Sequence, residues 1–142
     1  MIVPLALAVL TFGLVQSTPP ALAPPDASWK HVTSNDGSWS VHWRVVIDGA
    51  AVDLPLVRKR FTLEVRAVSL RDPALPLRGM LIDAQMPEHG HGMNVAPMVT
   101  IAAAGSGSAE GMLFHMSGRW EVDVDLDDGI TVERAQWNIV LP

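Results

Sequence analysis

At 142 residues, 49% of them hydrophobic and 18% charged, the chain is long enough for one packed domain and too apolar to remain unfolded as a whole. A net charge of −5 excludes a phosphate-backbone partner, because nucleic-acid binding needs concentrated Lys and Arg. Cysteine is absent, which excludes disulfides, thiolate metal sites and cysteine nucleophiles, so any metal must be held by His, Met or carboxylate.

Residues 2–15 are almost continuously apolar, broken only by Pro4, Thr11 and Gly13, and a Pro-rich stretch follows as far as Asp26. The pattern predicts a signal peptide or membrane anchor over residues 1–23, with Ala21-Leu22-Ala23 as the small-residue cleavage site. The apolar run falls short of the ~20 residues that a spanning helix needs, which favours cleavage over retention. The protein is therefore expected outside the cytoplasm, in the periplasm or cell envelope, secreted or membrane-anchored. Residues 24–38 read as a linker carrying an exposed Trp29, and residues 39–142 as the folded domain.

Beyond Trp39 the hydrophobic period is two. Trp39, Val41, Trp43, Val45 and Ile47 alternate with Ser40, His42, Arg44 and Val46, which predicts a half-buried strand with His42 facing away from the core. Asp48-Gly49 is a turn signal, Asp53-Leu54-Pro55-Leu56 an edge or loop piece, and Arg58-Lys59-Arg60 a solvated basic triplet before the next strand. Phe61, Leu63, Val65 and Ala67 mark a second strand, and Met80, Ile82, Ala84 and Met86 a third. A brief strand is expected over residues 99–103, a flexible Gly-Ser turn over 105–108 and another strand over 111–116. Trp120, Val122, Val124 and Leu126 alternate with the acidic Glu121, Asp123 and Asp125, and Ala135, Trp137, Ile139 and Leu141 close the chain. No helical periodicity interrupts this series. Short strands with turn signals every ~8–12 residues predict an all-β fold, an immunoglobulin-like two-sheet β-sandwich with a barrel as the alternative.

One loop carries most of the chemistry. Met86-Pro87-Glu88-His89-Gly90-His91-Gly92-Met93 places two imidazoles and two thioethers side by side, and the glycines free the backbone to turn them toward one point. Imidazole suits several transition ions, whereas thioether sulfur selects copper(I), so the mixture points to copper. Six of the seven methionines fall between residues 80 and 116, with three of the five histidines. The candidate ligands are His89, His91 and Met93, with Met86, His115 and Met116 as completions. Met80 and Met112 share faces with Ile82 and Phe114 and read as core filler. Strand parity sends His115 and Met116 to opposite faces, so one of them at most is expected to reach the loop.

The order of a strand running into Met86-Pro87-x-His89-Gly90-His91-Gly92-Met93, then Pro97, then Phe114-His115-Met116-x-Gly118-x-Trp120-Glu121-Val122 resembles the YtkA-like domains, relatives of the FixH-like proteins. The likeness spans roughly residues 60–142. It implies an extracytoplasmic immunoglobulin-like fold, often membrane-tethered, with a part in copper handling or respiratory-oxidase assembly.

Three functions are set against one another. The first is a copper-binding or copper-delivery module that hands its ion to a copper-accepting membrane protein. The second is a metalloenzyme with His89, His91 and His115 holding an ion beside an open water position. It is disfavoured, because no general base stands near except Glu88, a loop charge, and the chain is expected not to be an enzyme. The third is a metal-free interaction sandwich of a membrane or envelope complex, with Trp29 as its exposed feature.

Overall fold

Strands of period two present one apolar face each, and two sheets of such strands bury those faces against one another. The computed structural model describes residues 23–102 and 105–142, which form that arrangement. In chain order the strands are β1 (Lys30–Thr33), β2 (Trp39–Ile47), β3 (Ala50–Val52), β4 (Arg60–Ser69) and β5 (Gly79–Met86). They continue as β6 (His91–Gly92), β7 (Met98–Ile101), β8 (Ser106–Leu113), β9 (Gly118–Asp127) and β10 (Val132–Leu141). One sheet runs β1-β2-β4-β8-β7 with β3 paired to β2, the other β10-β9-β5-β6, and every pairing is antiparallel. Among the described residues there is no α-helix, so none is long and apolar enough to cross a membrane. The signal or anchor segment expected over residues 1–23 lies, but for its last residue, outside the described residues.

The alternation does what it predicts. Trp39, Val41, Trp43 and Val45 of β2 and Phe61, Leu63 and Val65 of β4 face Ile82 and Ala84 of β5, Val122 and Val124 of β9 and Trp137 and Ile139 of β10, all buried. Trp43 and Trp137 stack across the two sheets with ring centres 4.8 Å apart. Met80 and Met112 are buried among these side chains as filler. The β2–β3 hairpin turns through Asp48 (φ 50°) and Gly49 (φ 81°), the two positive-φ positions that suit the right-handed twist of a tight hairpin.

Three expectations need correction. The Gly-Ser run at 105–108 is not a free turn: Ser106–Leu113 is strand β8, paired with β4 on one side and β7 on the other. Gly107 serves close packing, since a Cβ there would lie 2.9 Å from the Met80 sulfur and 3.0 Å from the Thr100 carbonyl oxygen. The stretch read as a linker contributes a strand, because Lys30–Thr33 pairs in register with residues 40–43 of β2. Trp29 is half-buried rather than exposed, with the guanidinium carbons of Arg44 and Arg66 at 4.6 and 4.1 Å from its ring.

Away from the apolar interior, Glu133 of β10 is buried. Its carboxylate accepts hydrogen bonds from the Ser34 hydroxyl and from the Asp36 and Ser38 amides at 3.0 and 3.2 Å, tying the β1–β2 loop of one sheet to the edge strand of the other. On the outer face of the second sheet, Arg134 bridges Asp123 and Asp125, and Gln136 donates to Asp123. The acidic row is a charge ladder neutralised from its neighbouring strand.

Candidate metal centre

Strand β5 carries its inward residues as far as Met86, and the chain then reverses. The amides of His89 and Gly90 both donate to the Met86 carbonyl at 3.0 Å, and Gly90 takes the left-handed conformation (φ 67°) that a side chain resists. The chain returns as β6, with His91 opposite Met86 and Gly92 opposite Gln85. Directly opposed residues point to the same face of a sheet, so His91 lies on the inward side with Met86 but at the rim, half-buried. His89 stays exposed on the turn.

The second contribution comes from the crossing between sheets. Strand β8 stops at Leu113, and Phe114 lays its ring flat on that of Trp120 at 4.4 Å and 5°. His115 then stands edge-on to Trp120 at 5.3 Å and 81°, and His91 meets the same indole at 6.3 Å and 68°. Trp120 is fully buried and is held by an Nε1–H bond to the Met116 carbonyl at 3.0 Å. The indole is the floor on which both imidazoles sit.

The rings of His89 and His91 are 5.7 Å apart and those of His91 and His115 are 5.1 Å apart. Two imidazoles sharing one ion, with metal–nitrogen bonds of about 2.0–2.1 Å, hold their ring centres roughly 5–6 Å apart. Both separations fall in that interval, with His91 in the middle. Among the described residues, no group of three or more His, Cys, Asp or Glu side chains converges to hold an ion by itself.

The ring nitrogens differ in their partners. His91 Nδ1 lies 3.1 Å from the Gly92 carbonyl oxygen, and a proton donated there leaves Nε2 with its lone pair for a ligand. His115 Nδ1 is buried with no hydrogen-bond partner, the condition that calls for an ion or water in a native interior. Around them, Arg58 anchors the crossing by bonds from its amide to the Phe114 carbonyl and from Nε to the His115 carbonyl. Arg119 holds Glu88 at 3.0 Å, an exposed ion pair.

The methionines are placed differently. Met86 is fully buried, and its Cε lies where a Cβ on Gly118 (φ 118°) would come within 2.8 Å. Met116 is half-buried and packs on the core beside the histidines' floor. Met93 is half-buried, with its amide bonded to the Ala84 carbonyl at 3.2 Å, and it lines an open cleft of ≈ 410 Å³ beside Asp83, Asp123 and Asp125. Gly118→Ala is expected to destabilise the fold by about 1–3 kcal/mol through the crowded Met86 methyl and the left-handed backbone. Urea unfolding measures it, and an unchanged midpoint would show that Met86 has room to move.

Comparison with known proteins adds no family to this picture. No family model, no curated protein and no solved structure matches the chain. Sequence reasoning gathered the three histidines by type and missed two supports, the Trp120 floor and the Arg58 anchor. The Met-x-Gly-x-Trp spacing was the available signal for the first, while the second depends on the positive φ of Arg58 (62°), which no local pattern announces.

Proposed function

We propose that the histidine end of the sandwich binds copper outside the cytoplasm and delivers it to a copper-accepting membrane protein, as in the assembly of a respiratory oxidase. The observation that carries this reading is the approach of His91 to His89 at 5.7 Å and, from a separate chain segment, of His115 to His91 at 5.1 Å, with a ring nitrogen of His115 buried and unpartnered. Soft donors neighbour them in sequence, since Met93 and Met116 belong to the same two segments. Two imidazoles with thioether sulfur suit copper(I), whereas a hydrolytic zinc site takes three protein ligands of nitrogen or oxygen and a water. Glu88, the carboxylate nearest in sequence to His89, is engaged by Arg119, which favours carriage over catalysis. His89, His91 and Met93 would hold the ion, with His115 and Met116 as completions. Met86 would support the site from the core.

Titration with copper(I) under reducing conditions tests the reading. The intact chain is expected to take up one equivalent, and the His89→Ala/His91→Ala variant to bind at least about 100-fold more weakly, each imidazole being a direct ligand. Equal uptake by both, at micromolar affinity or weaker, would remove the carrier reading. A second reading, a metal-free interaction module of an envelope complex, is favoured by Leu54 and Leu56, exposed at 43% and 60% on the segment that Arg58 ties to His115. The same titration separates the two.

A further inference from the structure

Two histidines lie outside the site described above. His42 alternates outward on β2, and His31 belongs to β1, which pairs with it so that the two residues are directly opposite. Opposed residues share a face, and here the rings come to 4.8 Å between centres at a tilt of 50°. We propose that His31 and His42 form a second metal site, on the outer face of the six-stranded sheet, for a divalent first-row transition ion.

The separation matches two imidazoles on adjacent positions of one ion: with metal–nitrogen bonds of about 2.0–2.1 Å, an angle near 90–100° at the metal brings ring centres to ~4.5–5 Å. One ring is already oriented, since His31 Nε2 is 3.0 Å from the Ser40 hydroxyl, an arrangement that leaves Nδ1 for a ligand. The donor set is imidazole without sulfur. It therefore suits copper(II), nickel(II) or zinc(II), in contrast to the sulfur-containing end of the sandwich.

Two arginines stand near the pair. Arg66 lies opposite His42 on β4, and Arg44 lies two residues along β2. Arg44 is paired with Glu64 at 2.7 Å, while Arg66 is drawn to the Trp29 ring and bonds the Ala23 carbonyl. Burial, His31 and Arg66 together hold His42 below the ordinary histidine value. The same Arg66 charge opposes a bound dication, which makes the site one of modest, exchangeable affinity. An ion here bridges β1 to β2 and fastens the first strand to its sheet.

Nickel(II) titrated into the His89→Ala/His91→Ala chain, followed by paramagnetic broadening of backbone amide signals, tests the proposal apart from the copper reading. One equivalent is expected to bind, with the amides of β1 and β2 around residues 31 and 42 broadened first. Adding His31→Ala is expected to weaken uptake at least tenfold and abolish that local broadening. Unchanged affinity, or broadening centred elsewhere, overturns the site. Should the double variant fail to fold, His31→Ala in the otherwise intact chain replaces it, since His31 is exposed. Broadening around residue 42 that persists in that variant is equally fatal.

Discussion

Trp120→Ala is expected to be the most damaging single substitution in the domain, lowering stability by about 3–5 kcal/mol. The indole is fully buried, stacks on Phe114, donates to the Met116 carbonyl and supports both His91 and His115. Its removal leaves a cavity bounded by both sheets and strands the carbonyl acceptor. A domain of this size has a total stability of roughly 5–15 kcal/mol, so the loss brings unfolding close to ambient conditions. Trp120→Phe retains a stacked ring and loses the N–H donor, and about 1–2 kcal/mol is expected. Urea midpoints read the difference between the two variants. Copper(I) titration of Trp120→Phe then reports whether the imidazoles keep their places on a smaller floor. A Trp120→Ala midpoint equal to that of the parent chain would show that the sheets close over the gap without penalty.

The second large effect belongs to Glu133. Glu133→Ala removes the acceptor for the Ser34 hydroxyl and the Asp36 and Ser38 amides, in a buried setting where lost charge-assisted bonds and unpaired donors both count. A loss of roughly 2–4 kcal/mol is expected. Burial acts to raise this carboxyl group's pKa, but the bonds from Ser34, Ser38 and Asp36 outweigh it and hold the group below its ordinary value of 4.5. The folded state thus binds this proton less readily than the unfolded chain. The stability it contributes is fully present above pH ~4.5 and is lost as the pH falls through the lower folded value. Denaturant unfolding of the parent chain and Glu133→Gln over that range checks the sign. The gap between them is expected to be widest near neutrality and to shrink in acid; a gap that widens in acid would contradict the assignment.

The strands legible in the sequence are those whose outward positions are polar. β2 and β9 show clean alternation because one face meets the core and the other meets solvent, and their limits follow from the pattern almost residue by residue. Strand β8 is not legible over its first half. Ser106, Gly107 and Ser108 carry no apolar signal: Gly107 is small because the Met80 sulfur and the Thr100 carbonyl leave no room for a Cβ, and Ser108 shares a hydroxyl hydrogen bond with Thr100 at 2.9 Å. Trp29 and β1 are hidden for a different reason: a short edge strand beside a Pro-rich stretch has the composition of a linker, and only its cross-strand partners reveal it.

For the site, residue types were informative and placement was not. The His-Gly-His hairpin follows from a strand running into glycines, whereas the meeting of His115 with His91 does not follow from parity. Alternation holds only while a strand continues, and β8 ends at Leu113, two residues before His115. Beyond that point the Phe114–Trp120 stack directs the chain. Long-range aromatic packing of this kind has no local signature.

Strand β6 is joined to its sheet by only two residue pairs, whereas β9 is paired along its whole length with β10 and over residues 121–127 with β5. The free energy needed to detach a segment scales with the pairing it gives up, so the hairpin bearing His89 and His91 is able to peel away while the Trp120 layer beneath stays closed. On the copper reading proposed above, release of the ion would then proceed by a local excursion of one hairpin, at a rate set apart from the lifetime of the sandwich.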